Sequence, residues 1–427
     1  MTFNDRRRFI QGLSAVLASG SLPLSAHAAM GPNDKFDLLI KGGEVIDPSQ
    51  GLRARRDIGI RHGLIEALEA DIPLARAQRV LNVSGRTVVP GLIDLHAHVF
   101  PYGSAIGLPA DELVPFQGTT TTISAGDAGA NNFAVFRRHI VAQTRTRLFA
   151  FVHIANIGLA GFPVPELFNL SYAQPDAAAR VLAENADIVI GVKVRMSQNV
   201  IARHGIEPLK RAILACELSG KPMRVMVHMG GVESAALMNQ ILDTMRPGDV
   251  LTHCYSGAPN DDGEGTNLVQ QGKLLPAALA AKQRGVLFDV GHGGGSFDYT
   301  VAEAAIAQGL RPDTISSDIH AVSGNSPGMP YLTWVMSKFL NMGFSLEEVV
   351  TMTTANPAKI INRIPKHGTL QVGAPADLTA LEIVEGPVEF VDTRNNKRQG
   401  KVHIRPVNVV TAGVPFGRPY TAPFSSH

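Results

Sequence analysis

The sequence predicts an α/β protein, a (β/α)8 TIM barrel with a small discontinuous β-sandwich built from both chain ends. Three observations predict it. Short runs of strand-forming residues alternate with stretches of helical periodicity, the pattern of parallel strands joined by helices. Eight such units fit within about 250 residues, the size of one barrel. Most runs also end in a residue able to bind a metal or work beside one, and barrels carry their chemistry at the C-terminal ends of their strands.

The elements follow in order. The first barrel run closes on Asp94-Leu95-His96-Ala97-His98. Residues two apart on a strand share a face, so both imidazoles can reach one metal ion. Two β-rich runs follow, Thr119–Ala125 and Arg147–Ala155. Lys193 stands near the end of the fourth run; His228, His253, His292 and Asp318 end the fifth to eighth. Residues 208–218 and 275–282 carry helical periodicity between runs, and Ser345 with Glu348 forms a capping box that opens a further helix. Outside the barrel, residues 36–89 read as short alternating strands broken by a Gly42-Gly43 turn, and this style returns from about Gly368. The expected divisions are a signal over 1–28, sandwich over 29–89, barrel over 90–367, and sandwich with tail over 368–427.

Composition restricts function. The chain has 427 residues, enough for one large domain and a smaller one. A net charge of +2 gives no clustered basic face for nucleic acid. No apolar run reaches the roughly 18 residues that a spanning helix needs. The N-terminus reads as targeting: Arg6 and Arg7 precede a moderately apolar stretch from Phe9 to Leu24, and Ala26-His27-Ala28 supplies a small-x-small cleavage site. This resembles a twin-arginine export signal and implies a periplasmic protein beginning near Ala29. Cys216 and Cys254 are expected as free buried thiols. The expected partners are a small-molecule substrate and further copies in a homo-oligomer, with no nucleic acid and, after signal removal, no membrane.

The chemistry follows from residue types. Hydrolysing an amide needs a strong nucleophile and a stabiliser for the oxyanion, and a divalent metal supplies both. Neutral imidazoles suit zinc. His96, His98, His228 and His253 exceed what one catalytic zinc takes, which favours two ions and a bridging anion. Lys193 could be that bridge if burial lowers its pKa, or could pair with Asp127 or Asp289. Asp318 reads as the base, its alternative being a helix N-cap. Arg195 shares the face of Lys193 and could clamp a substrate carboxylate, or pair with Asp127 or Asp298. His292 could meet substrate or sit in the core; His320, Tyr255 and Asn156 are pocket candidates. His153 is expected to pack within its strand, and His62, His139, His204, His367 and His403 on the surface.

As an ordered set these residues resemble the amidohydrolase superfamily of metal-dependent hydrolases, in its dihydroorotase-like and deacetylase-like branch. His96-x-His98 after Pro90-Gly91-Leu92-Ile93-Asp94, Lys193 in Val192–Arg195, His228, His253 and Asp318 in Ser316–His320 carry the likeness. Thr354–Lys359 and Gly368–Leu378 add to it, and Val290–Phe297 with Met336–Leu340 point towards deacetylase-like members. The resemblance spans roughly residues 36–385. It implies two divalent ions, zinc foremost, held by His96, His98, Lys193, His228, His253 and Asp318, with Lys193 carbamylated by CO2. It implies attack by metal-activated water on an amide or ester bond of a small carboxylate-bearing acyl compound, Asp318 moving the proton. Arg195, His292, His320 and Tyr255 are then the candidate substrate contacts. Alternatives are hydrolysis of a cyclic amide, as in dihydroorotases and hydantoinases, or of an N-acyl amino acid. Two distant readings fall away. A serine hydrolase built on His292–Gly295 and Gly324–Gly328 lacks the backbone N–H that Pro327 cannot offer, and a non-catalytic scaffold would have lost ligands, whereas all six positions are filled.

Overall fold

The computed structural model describes residues 31, 34–362 and 366–417. The expected export signal over residues 1–28 lies outside the described residues.

Five strands open the described chain: β1 (Leu38–Asp47), β2 (Leu52–Arg61), β3 (Leu64–Glu69), β4 (Val80–Asn82) and β5 (Thr87–Pro90). The barrel strands follow as β6 (Leu92–Ala97), β7 (Thr119–Gly129), β8 (Arg147–His153), β9 (Val189–Arg195), β10 (Arg224–His228) and β11 (Val250–Thr252). A small hairpin, β12 (Val269–Gln270) and β13 (Lys273–Leu274), precedes the last regular barrel strand, β14 (Leu287–Phe288). The chain then returns to the first sheet with β15 (Leu378–Val391), β16 (Lys397–Thr411) and β17 (Val414–Pro415).

The two ends of the chain form one eight-stranded sheet in the order β17-β16-β15-β5-β1-β2-β3, with β4 parallel to β1. Antiparallel pairing of β5 with β15 joins the N-terminal and C-terminal halves. Ile65 of β3 and Val410 of β16, from distant places in that order, meet in one buried cluster with Ile40, Ile58 and Leu378. The sheet therefore folds over its own core.

The second sheet is parallel throughout, in the order β14-β11-β10-β9-β8-β7-β6. Its eighth stave is the segment from Thr314 to Ile319, which bridges Asp289 on one side and Ala97 on the other. These two parallel bridges close the ring between β14 and β6. Asp318 in that stave has φ 49°, outside the extended region, which prevents a continuous ladder. His253 at φ 62° ends β11 in the same way. Along β8 the alternation is plain: Phe149 and Phe151 fill the barrel interior, while Leu148, Ala150 and Val152 face the helical layer. Burying each such Phe contributes about 1.5–3 kcal/mol.

The change from sheet to barrel occurs at Gly91, whose N–H donates to Asp377 O at 2.9 Å. A side chain there would run into Thr120, so the Pro-Gly step is a packing requirement. The expected capping box is present: Ser345 N–H donates to Glu348 at 2.7 Å, and Glu348 N–H to Ser345 Oγ at 3.2 Å. Cys216 and Cys254 are buried and free. No helix among the described residues is long and apolar enough to cross a membrane.

Candidate metal centre

Strand ends deliver the site. The Nε2 atoms of His96 and His98, from the end of β6, approach the same Asp318 oxygen, Oδ1, at 3.1 and 3.2 Å. Among the described residues these three form the one group of His, Cys, Asp and Glu whose ligand atoms all lie within 4.8 Å of one another. Beside them His253 Nε2 stands 4.0 Å from Asp318 Oδ2 and 2.8 Å from His228 Nδ1. Lys193 Nζ lies 3.0 Å from His96 Nε2. All six side chains come from the C-terminal ends of barrel strands.

Each ring that points Nε2 inward is held from behind through Nδ1. His98 Nδ1 meets Asp127 at 2.9 Å; His96 Nδ1 meets Thr252 Oγ1 at 2.8 Å; His253 Nδ1 donates to Gly291 O at 2.6 Å. Such outer contacts orient imidazoles as ligands. Asp127 is itself fixed by Val99 N–H at 2.9 Å and Ser124 Oγ at 2.7 Å. Behind His96, Asp94 accepts from Gln117 Nε2 at 2.9 Å and from Ser317 N–H at 3.0 Å, pinning the eighth stave to the first.

Electrostatics also mark the centre. Burial lowers His253 to about 4 and puts His96 and His228 well below the ordinary histidine value. Burial would lower His98 too, but Asp127 and Asp318 on either side raise it to about 9. A positive charge therefore belongs between those carboxylates, and a metal ion can take the proton's place. Burial brings Lys193 down to about 7, so much of its amine is neutral near neutral pH. It makes no ion pair with Asp127 or Asp289. Glycine is required alongside it: Gly126 has φ 90°, and a Cβ would stand 2.6 Å from Lys193 Cγ.

Several expectations need correction. Arg195 pairs with neither Asp127 nor Asp298; its Nη1 lies 3.1 Å from Glu166 Oε2. Glu166, in the loop after β8, also lies 3.1 Å from His153 Nε2. Burial favours its neutral form, but Arg195 and His153 outweigh that and hold it at about 2. The sequence reading missed this carboxylate. His292 is not free for substrate. Its Nδ1 donates to Gly293 O at 2.8 Å, and its Nε2 accepts from Lys338 at 2.7 Å. That occupancy also leaves no imidazole for Ser326, whose Oγ has no partner in the structure. Tyr255 is fully buried and donates to Leu310 O at 2.7 Å, a core role and not a pocket one. Asp318 caps no helix. His367, expected on the surface, packs its buried side chain against Phe149 with ring centroids 5.6 Å apart. His320 remains beside the centre, its ring 5.8 Å from that of His98. Asn156 is buried in the loop after β8 and its Oδ1 has no partner in the structure.

Comparisons with known proteins identify relatives of this chain. The amidohydrolase family pattern matches residues 296–410. A deacetylase from Agrobacterium fabrum is 35% identical over 335 residues, 78% of this chain and 80% of that protein. Two solved structures are each 32% identical. One, described as an adenine deaminase, has a TM-score of 0.80 and covers 89% of this chain and 99% of its own. The other, described as a dihydroorotase, has a TM-score of 0.79 and covers 91% and 99%.

Proposed function

The chain belongs to the amidohydrolase family, hydrolases that act on C–N bonds, and from that premise we propose that it releases the acyl group of a small carboxylate-bearing compound, from an amide or an ester. The carrying observation is the approach of His96 Nε2 and His98 Nε2 to one oxygen of Asp318, with Lys193, His228 and His253 alongside. The donor set fits two divalent ions: buried imidazoles with one nitrogen held from behind, a carboxylate, and a site between Asp127 and Asp318 that calls for positive charge. When bound, the ions would polarise the carbonyl and lower the pKa of water, zinc being the metal these nitrogen and oxygen donors suit.

The chain's own residues do the rest. Lys193, with its amine neutral, can add CO2 and lose one proton to give a carbamate, an anion with two oxygens to share between cations. Asp318 takes the proton of the attacking water and returns it to the leaving nitrogen or oxygen. Arg195, oriented through Nη1 by Glu166, turns its remaining donors to the substrate carboxylate. His320 lines the same mouth. The likeness to a deacetylase supports an acetyl-sized acyl group. A second reading, a cyclic amide as substrate, rests on the solved structure described as a dihydroorotase.

The test is a screen of zinc-loaded enzyme against N-acyl and O-acyl carboxylates, with cyclic amides alongside, and elemental analysis of protein purified without chelator. More than one equivalent of metal and turnover of acyl carboxylates are expected. A fully active preparation without metal would overturn the reading.

We also propose that Arg6 and Arg7 direct export of the folded protein to the periplasm. Replacing both by lysine should hold the precursor in the cytoplasm, and the mature protein should start near Ala29. An intact N-terminus on periplasmic protein contradicts this.

A further inference from the structure

Asp289 follows β14, is fully buried, and touches none of the six residues of the centre through a direct hydrogen bond. Three hydroxyls surround it: Thr252 Oγ1 at 2.7 Å, Thr314 Oγ1 at 2.6 Å and Ser316 Oγ at 2.6 Å. A carboxylate only accepts, and each hydroxyl has a single hydrogen, so each spends it on Asp289. Two consequences reach the site. Thr252 Oγ1, with its hydrogen spent, must accept from His96 Nδ1 at 2.8 Å, which puts the ring hydrogen on Nδ1 and leaves Nε2 bare. Ser316 Oγ, in the same position, accepts Gly291 N–H at 3.0 Å and seats Gly291 at φ 50°. The carbonyl of Gly291 then receives His253 Nδ1–H at 2.6 Å.

We propose that Asp289 is a positioning residue: through Thr252 it sets the Nδ1–H tautomer of His96, and through Ser316 it seats Gly291, whose carbonyl holds the Nδ1–H of His253, so that both Nε2 lone pairs face the centre. One carboxylate outside the ligand set thereby governs two ligands on two different strands. The consequence for metal affinity rests on the function proposed above; the tautomer does not.

Thr252→Val removes the hydroxyl at nearly constant shape, and Thr252→Ser restores it. Long-range proton–nitrogen spectra of the full-length, metal-free, histidine-labelled protein read which ring nitrogen of His96 carries hydrogen. The wild type and Thr252→Ser should show Nδ1–H, whereas Thr252→Val should populate Nε2–H. Competition titrations with zinc should show affinity about 10–100-fold weaker for Thr252→Val and for Asp289→Asn, with Thr252→Ser close to wild type. If Asp289→Asn fails to fold, the Thr252 pair and the wild-type spectrum still decide. A His96 ring hydrogen on Nε2 in the wild type, or one that stays on Nδ1 in Thr252→Val, overturns the assignment. A wild type that binds no zinc would instead bring down the metal reading and leave the tautomer to decide this one.

Discussion

Lys193 Nζ stands 3.0 Å from His96 Nε2, and none of the ion pairs among the described residues joins it to a carboxylate. Burial with no carboxylate partner lowers the amine to about 7 and favours its neutral form, the one that can add CO2. If it is the bridge between two ions, Lys193→Ala should lose metal and activity together. Acetate or propionate should then restore part of both by filling the space with a carboxylate. Elemental analysis and turnover, with and without added carboxylate, check this; full metal content in Lys193→Ala would remove the bridge.

Asp318 separates from Lys193 in its expected behaviour. Asp318→Asn keeps the size and one oxygen facing His96 and His98 but cannot accept a proton. Metal should largely stay while kcat falls by about 10²–10⁴-fold, the usual worth of a positioned general base. Near-normal turnover with metal in place would show that the base lies elsewhere.

What the sequence made legible depended on local rules. The strand period alone places His96 and His98 on one face, and each chemical residue at a run end lies where parallel strands deliver it. Loops obey no period, so Glu166 in the loop after β8 gives no signal in the sequence, and the partner of Arg195 cannot be read from strand positions alone. His292 looked available because Lys338, which occupies its Nε2, lies on the helix Leu332–Asn341 of a later unit. The left-handed backbone at His253 and Asp318 was invisible for a similar reason, since tertiary contacts impose it and local preference does not.

His98 leads to a prediction on metal uptake. With Asp127 and Asp318 beside it the ring is raised to about 9, so at neutral pH the metal-free chain holds a proton there. A metal ion must displace that proton. Zinc binding should therefore release protons and weaken as the pH falls below about 9. Titration in weakly buffered solution with a pH indicator, and affinities compared at about pH 6 and pH 8, read both effects. Affinity that does not change between those values would place the proton somewhere other than His98.

Glu166 makes a prediction on stability that does not involve metal. Its ordinary value is 4.5; Arg195 and His153 hold it at about 2 against the opposing effect of burial. A carboxylate depressed on folding stabilises the native state at pH values above its unfolded value, and that contribution disappears as pH falls towards the folded value. The contribution should be on the order of 3 kcal/mol, from the difference between the two values at about 1.4 kcal/mol per pH unit. Glu166→Gln should thus have a lower Tm than the wild type at neutral pH, and the gap should narrow between pH 4.5 and about 2. Thermal melts of both proteins across that window check it, followed in the range where each still refolds. A Tm gap that is constant with pH would mean that Glu166 holds Arg195 by packing and hydrogen bonding alone, without its charge.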